Sequence, residues 1–314
     1  GGLEVLLQPD GRILVGGVFQ QVAGVNKRGI ARLNSDGSLD ATFTGSGVNG
    51  EVEALTFDYD GRILVGGNFT SINGVSRTDI ARLLPDGTVD LSFQAPASNS
   101  AIYDVIVQPD SLILVCGGFS QMGATTRRGM ARLGINGALD LGFIIANQNQ
   151  GVINRMALQP DGRILAGGSF NSIGGSQQRA FVRLLPNGAL DASYLVGTAA
   201  DAVVFAILPQ VDGGVYIGGA FVEYDGMGRN RLARINGDFT TSITFQATEL
   251  QHAWPNPCTD VLHLAQPFHG ALYDIRGAQL RTINNVRVLP VQELTPGVYL
   301  LRSRNGDVTR FIKQ

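Results

Sequence analysis

The chain has 314 residues, 44% of them apolar and 16% charged, with a formal net charge of −2. That balance excludes a disordered chain, and the lack of a basic excess excludes a surface for nucleic acid or anionic lipid. No apolar run approaches the ~20 residues that cross a bilayer as a helix. The basic side chains are nearly all Arg, since Lys27 and Lys313 are the only lysines. Cys116 and Cys258 fall in different predicted domains, so no disulfide between them is expected. At Gly1-Gly2-Leu3 the chain is already inside a repeat and no signal peptide is visible, which points to processing or to an upstream region.

The first predicted element is Gln8-Pro9-Asp10-Gly11-Arg12-Ile13-Leu14-Val15-Gly16-Gly17, and it returns around Asp60, Asp110, Asp161 and, degraded, Asp212. The steps between these aspartates are 50, 50, 51 and 51 residues. A second signature follows each: Ile30–Leu33, Ile80–Leu83, Met130–Leu133, Phe181–Leu184 and Leu232–Ile235. Each unit closes on an aromatic: Phe43, Phe93, Phe143, Tyr194 and Phe245. From Phe19 to Arg32 is 13 residues and from Arg32 to Phe43 is 11, and both intervals hold in all five units. Length changes fall between units, as expected of loops joining rigid modules.

Within a unit the pattern predicts four antiparallel strands. In the second, Val52–Phe57 is strand a and Ile63–Val65 strand b. Ile80–Leu83 is strand c, and strand d ends near Phe93. Asp-Tyr-Asp-Gly turns a into b with Gly61 at positive φ, and Pro85-Asp86-Gly87 turns c into d. A four-stranded unit of this length, with no sustained 3.6-residue periodicity, predicts an all-β fold, a β-propeller of about five four-stranded blades. The paired glycines after strand b mark a crowded inner end.

The pattern QPDGRILVGG-x-F followed by R-x-x-ARL-x-x-DGxLDxxF resembles the bacterial delta-60 repeat, a propeller-forming family defined by its repeats rather than by an active site. Five copies cover residues 1–246. The expectation is a ring closed by five blades, and an open arc is the contrary outcome.

Residues 247–253 read as a linker, and 254–314 as a small Ig-like β-sandwich with strands at Val261–Leu264, Ala271–Asp274, Gln279–Ile283, Val286–Leu289, Val298–Arg302 and Thr309–Ile312. Its ordered motifs are Pro255-Asn256-Pro257; Tyr273 and Asp274 with Gly277; Leu294, Gly297 and Tyr299; and Lys313 near the end. Together they resemble the C-terminal sorting domain of the type IX secretion system of Bacteroidota. That resemblance implies outer-membrane type IX machinery as partner and a secreted or cell-surface location. Cleavage would fall in the 246–253 connector.

Alternating strand direction puts the a–b and c–d turns on one face of the ring and the b–c and d–a loops on the other. The b–c loops carry Arg28, Arg77, Arg127 with Arg128, Arg179, and Arg229 with Arg231. One reading is a guanidinium ring for a uronic or sulfated glycan. The other is that each Arg ties its own loop, which recurrence in every repeat favours. Arg32, Arg82, Arg132 and Arg183 stand eight residues before Asp40, Asp90, Asp140 and Asp191, predicting pairs across the c–d hairpin, while Ser242 replaces the acid in the fifth unit.

Near the start of strand a the repeats disagree. One position reads Leu3, Glu53, Tyr103, Asn154, Phe205, and the next Glu4, Ala54, Asp104, Arg155, Ala206. Glu4, Glu53 and Asp104 there are either solvated strand starts or a glycosidase-like acid/base group. All three histidines lie outside the repeats, so no Ser–His or Cys–His pair is expected in a blade. No phosphate loop or zinc spacing occurs, and one acidic turn per blade lacks the six to eight ligands of calcium, so neither cofactor nor metal is expected.

The sequence therefore supports a non-catalytic binding or structural propeller at the cell surface, with an extracellular glycan or a surface protein as ligand. The alternatives are a propeller glycan hydrolase or lyase, and a scaffold subunit of a surface assembly.

Overall fold

A computed structural model describes residues 3–145, 151–174, 178–194, 197, 199–210, 212–235, 253–254, 258–274, 279–303 and 308–314. The chain divides into two compact units, Gly1–Asp238 and Phe239–Gln314.

In the first unit each repeat forms one antiparallel sheet. The a and b strands are Glu4–Leu7 with Ile13–Gly16, Glu51–Phe57 with Ile63–Asn68, Ile102–Val107 with Ile113–Gly117, Gly151–Leu158 with Ile164–Phe170, and Val204–Pro209 with Val215–Gly219. The five c strands are Ile30–Leu33, Ile80–Leu83, Met130–Leu133, Phe181–Leu184 and Leu232–Ile235, each paired with its b strand. The a–b turn closes because Gly11 and Gly61 sit at φ 83° and 75°, and Ser111 takes the same left-handed conformation at φ 66° in the third repeat.

Two expectations about the blade are corrected. Strand d is not a strand: it is a single bridge in each of four repeats, Leu33 to Leu39, Leu83 to Val89, Leu133 to Leu139 and Leu184 to Leu190. The chain leaves the sheet there because the Asp one residue later turns its carboxylate onto the backbone N–H two residues on, at 2.8 Å from Asp40 to Thr42, which starts a turn instead of a ladder. The b–c segment is not a plain loop. In four repeats it holds a two-residue hairpin, as in Ser71–Ile72 against Val75–Ser76, with Asn73-Gly74 at its tip at φ 49° and 77°.

Strands a of successive blades pack on one another, which puts them on the inside. Four apolar clusters fill the four junctions between successive blades. Leu14, Ile30 and Phe43 of the first blade, for example, pack on Ile63, Val65, Ala81 and Leu83 of the second. Burying each such large side chain contributes about 1.5–3 kcal/mol. Among the described residues no cluster joins the first blade to the fifth.

The second unit also departs from expectation. Its described strands join in one five-stranded antiparallel hydrogen-bonded network. The predicted pairs of short strands fuse into two long ones, Val261–Asp274 and Gln279–Pro290, and bulges between their paired residues absorb the bends where breaks were expected. Leu262, Leu272, Leu301 and Phe311 centre its buried cluster.

Candidate functional site

The c-strand arginines form a repeated clamp. Arg32 Nε donates to Asp40 Oδ2 at 2.7 Å, Arg82 to Asp90 at 2.8 Å, Arg132 to Asp140 at 2.8 Å and Arg183 to Asp191 at 2.8 Å. Each guanidinium also lies over the closing aromatic, 4.8 Å from the Phe43 and Phe93 centroids, 4.9 Å from Phe143 and 4.0 Å from Tyr194. A further N–H reaches the next blade, from Arg32 to the Pro85 carbonyl, Arg82 to Ile135 and Arg132 to Pro186. The constant 13- and 11-residue intervals are the footprint of this geometry. Burial pushes the Asp40 carboxyl up, but hydrogen bonds from Thr42, Arg32 and Arg12 outweigh it and hold it well below the usual carboxylate range. In the fifth blade Ser242 and Phe245 lie outside the described residues. There Arg234 pairs with Asp212 at 2.5 Å and lies 5.8 Å from the Tyr216 centroid.

The b–c arginines do not occupy one position. Arg77, Arg127 and Arg229 are equivalent to Lys27 and Gln178, and these side chains bind backbone. Arg77 donates to the Ser76 carbonyl, Arg127 to Thr126, Asp140 and Leu141, and Arg229 to Gly228. Lys27 donates to Phe43 and Gly45, and Gln178 to Tyr194. Arg28, Arg128 and Arg179 form the following position and are exposed. The expected ring of guanidinium groups is thus split between loop ties and solvent-facing side chains, because a shift of one residue along the chain reverses which way a side chain points.

The variable positions of strand a meet instead. In four blades the ladder slips by one residue near the end of strand b, between two glycines in three of them and between Cys116 and Gly117 in the third blade: Val52 faces Gly67 while Ala54 faces Gly66, leaving Glu53 as the extra residue of a bulge. Tyr103, Asn154 and Phe205 hold the same place in the third, fourth and fifth blades. The glycines make this possible. A Cβ on Gly67 would stand 2.0 Å from the Glu51 carbonyl oxygen, and one on Gly66 2.8 Å from Val105 of the next blade.

Beside the bulges lies a charged cluster drawn from four blades. Arg155 donates to Glu4 Oε1 at 2.5 Å and to the Tyr103 carbonyl at 3.0 Å, with Asp104 Oδ1 at 4.0 Å. Asp104 itself accepts from the Val105 and Met156 backbone N–H groups at 2.9 and 2.8 Å. Burial pushes the Asp104 carboxyl up to about 6, against the pull of the Met156 hydrogen bond and Arg155. Glu53, half-buried and with no side-chain hydrogen bond among the described residues, is also raised, by burial and then by Glu51. Phe205 is exposed, and the Tyr103 hydroxyl lies beside Gly118. Sequence reasoning missed Arg155 as a partner of Glu4, since 151 residues separate them. Among the described residues no cluster of His, Cys, Asp and Glu has the makeup of a metal site.

Of the C-terminal motif residues, Pro255, Asn256, Pro257 and Gly277 lie outside the described residues. The Tyr273 hydroxyl donates to Gln279 at 3.2 Å, one strand residue before Asp274. The Tyr299 hydroxyl donates to the Thr295 carbonyl at 2.8 Å, its ring stacks on Phe311, and Gly297 starts its strand. Leu294 is half-buried, and Lys313 is buried where the last strand bridges to Cys258.

Repeated small sheets fanned about inner a strands define a β-propeller repeat protein. The chain belongs to the family described as a domain of unknown function (DUF5122) beta-propeller, whose model matches residues 8–43, 60–93, 108–143, 159–194 and 210–238. Among solved structures it is similar to PorZ, an essential bacterial surface component of the type-IX secretion system of Porphyromonas gingivalis. Identity there is 14% over 100% of this chain and 52% of that one, with a TM-score of 0.38. A protein of unknown function from Bacteroides caccae is 18% identical over 76% of this chain and 79% of that one, TM-score 0.45. The extracellular domain of BT3049 from B. thetaiotaomicron is 13% identical over 99% of this chain and 44% of that one, TM-score 0.43. The chain thus spans about half the length of PorZ. It has no match among curated proteins.

Proposed function

We propose that the protein is a non-catalytic binding module of the cell surface, exported by type IX secretion through residues 254–314, and that its ligand sits on the strand-a bulges. The observation that carries the reading is the bulge itself: a backbone device repeated in four blades that presents a different side chain in each. Binding groups belong where a rigid frame holds variable side chains. Phe205 and Tyr103 offer ring faces, and Glu53 and Asn154 offer polar groups, a combination suited to the apolar faces and hydroxyls of a neutral extracellular glycan.

Two observations weigh against catalysis. Both Asp104 oxygens already accept backbone N–H groups, and Glu4 is held by Arg155, so the acid/base pair a glycosidase needs is committed elsewhere. The arginines Arg77, Arg127 and Arg229 are engaged with backbone, which weakens the anionic-glycan alternative.

Titrating the protein with neutral and acidic polysaccharides, and repeating with Tyr103→Ala and Glu53→Gln, tests the site. Binding of a neutral glycan lost in both variants, without product release, is the expected result; turnover abolished by Asp104→Asn overturns the non-catalytic reading. Export is tested separately. Removing 254–314 leaves the protein in the periplasm of a type IX-competent host, and surface delivery regardless refutes the sorting role.

A further inference from the structure

Each internal junction has the same two halves. One face carries residues such as Leu14, Leu64, Leu114 and Leu165 on strand b with Ile30, Ile80, Met130 and Phe181 on strand c, and all eight are at most 2% exposed. The facing half, in the second blade, is Leu55, Phe57, Ile63, Val65 and Leu83, of which the last three are fully buried. The c-strand Arg of one blade then donates to the c–d turn carbonyl of the next, as Arg32 does to Pro85 and Arg82 to Ile135.

At the ends both halves stand open. In the first blade Val5 and Leu7 replace Leu55 and Phe57 and are 63% and 68% exposed. Ile13, Val15 and Leu33 beside them are only half-buried. The first blade's own turn carbonyl, at Ser35, receives no Arg among the described residues. In the fifth blade Leu208, Tyr216 and Leu232 form the opposite half at 60%, 37% and 61% exposure. Arg234, the clamp Arg there, has its side chain 39% exposed where Arg82 has 2%.

We infer that these two faces are the two sides of a seat for one further blade of this same repeat. The internal junctions say what covers each face: four times in this chain the cover is a DUF5122 blade. An exposed Leu on its own is ordinary, but two complementary sets, each matching a buried set elsewhere in the same chain, mark an interaction surface. A second copy of this chain fits less well. Its end blades each have one free face, so it covers one side of the seat and leaves the other open, a contact that propagates instead of closing.

The test adds one such blade. Residues 51–100, or in a second fusion residues 1–50, are joined directly ahead of Gly1 of the full chain, which keeps the 50-residue phase. The expected result is a monomer whose thermal midpoint rises by about 5 °C or more in at least one fusion, with binding of an apolar dye reduced. Leu7→Glu and Leu208→Glu each remove that gain while shifting the parent chain's midpoint little. An unchanged midpoint in both fusions overturns the inference, as does a gain that survives Leu208→Glu. Concentration-dependent assembly of the parent chain, broken by Leu208→Glu, overturns it in favour of a second copy. Loss of stability of the parent on either substitution overturns it in favour of direct contact between the first and fifth blades.

Discussion

The clamp and the bulge are two answers to repetition in one molecule. At the clamp four repeats use the same chemistry: an Arg donates to an Asp eight residues on and lies over an aromatic eleven residues on, and in three of them it also reaches the next blade. At the bulge the backbone is repeated and the side chain is not, with Glu53, Tyr103, Asn154 and Phe205 in the same place. The difference teaches where to look for each kind of role. Chemistry kept in every blade builds the blade, and a backbone feature kept while its side chain varies builds a surface.

The comparison breaks first at the clamp. Asp90→Ala leaves the buried Arg82 with only the more distant Asp58 carboxylate, 3.7 Å away, and costs about 3 kcal/mol, read by chemical denaturation. A loss under ~1 kcal/mol would show that the clamp decorates the blade instead of holding it. Next comes the hinge between the two regions. Gly67→Ala drives a Cβ into the Glu51 carbonyl, which expels or reshapes the bulge at a cost of about 1–3 kcal/mol. Preserved stability with an unaltered Glu53 environment by NMR contradicts this.

The two regions also respond to pH with opposite signs. Clamp aspartates such as Asp40 and Asp90 have carboxyls held below their ordinary value, so their stabilisation is present above about pH 4 and is lost as pH falls below it. Asp104 is raised to about 6, so the folded state holds its proton more tightly than the unfolded one, and stability declines as pH rises from near 4 to 6. The Asp104 carboxyl carbon, followed by NMR, titrates near pH 6 and moves higher in Arg155→Met. A midpoint near 4 in the wild type removes the buried cluster from consideration. The smallest effect is Glu53→Gln, whose folding stability stays within about 0.5 kcal/mol although glycan binding weakens. A large unfolding shift would return Glu53 to the structural class.

Much of the clamp was legible because its parts lie close in sequence: Asp-Gly turns, Arg–Asp at eight residues and the closing aromatic each recur at constant spacing. The hairpins in the b–c segments were legible too, since Asn73-Gly74 between Ile72 and Val75 is a turn signal. The sequence reading nonetheless gives these segments as loops. The bulge left only a trace, the paired glycines and the disagreement between repeats, because one extra residue in a ladder needs no special residue at its own position. The Glu4–Arg155 pair left none, since nothing local ties a residue of the first repeat to one of the fourth. In the second unit the sequence reading ends short strands where bulges carry two long strands through.

The paired glycines have a consequence for how such a chain changes over time. Because Gly66 and Gly67 leave room for the slip, and the extra residue carries no ladder hydrogen bond, position 53 is released from folding duty. The same slip frees 154 and 205 beside Gly167-Gly168 and Gly218-Gly219, and 103 beside Cys116-Gly117. Each can be rewritten singly without retuning the clamp some distance away, so the molecule separates inheritance of shape from inheritance of taste. A selection experiment randomising those four sites on an otherwise fixed chain should return mostly folded proteins with diverging preferences.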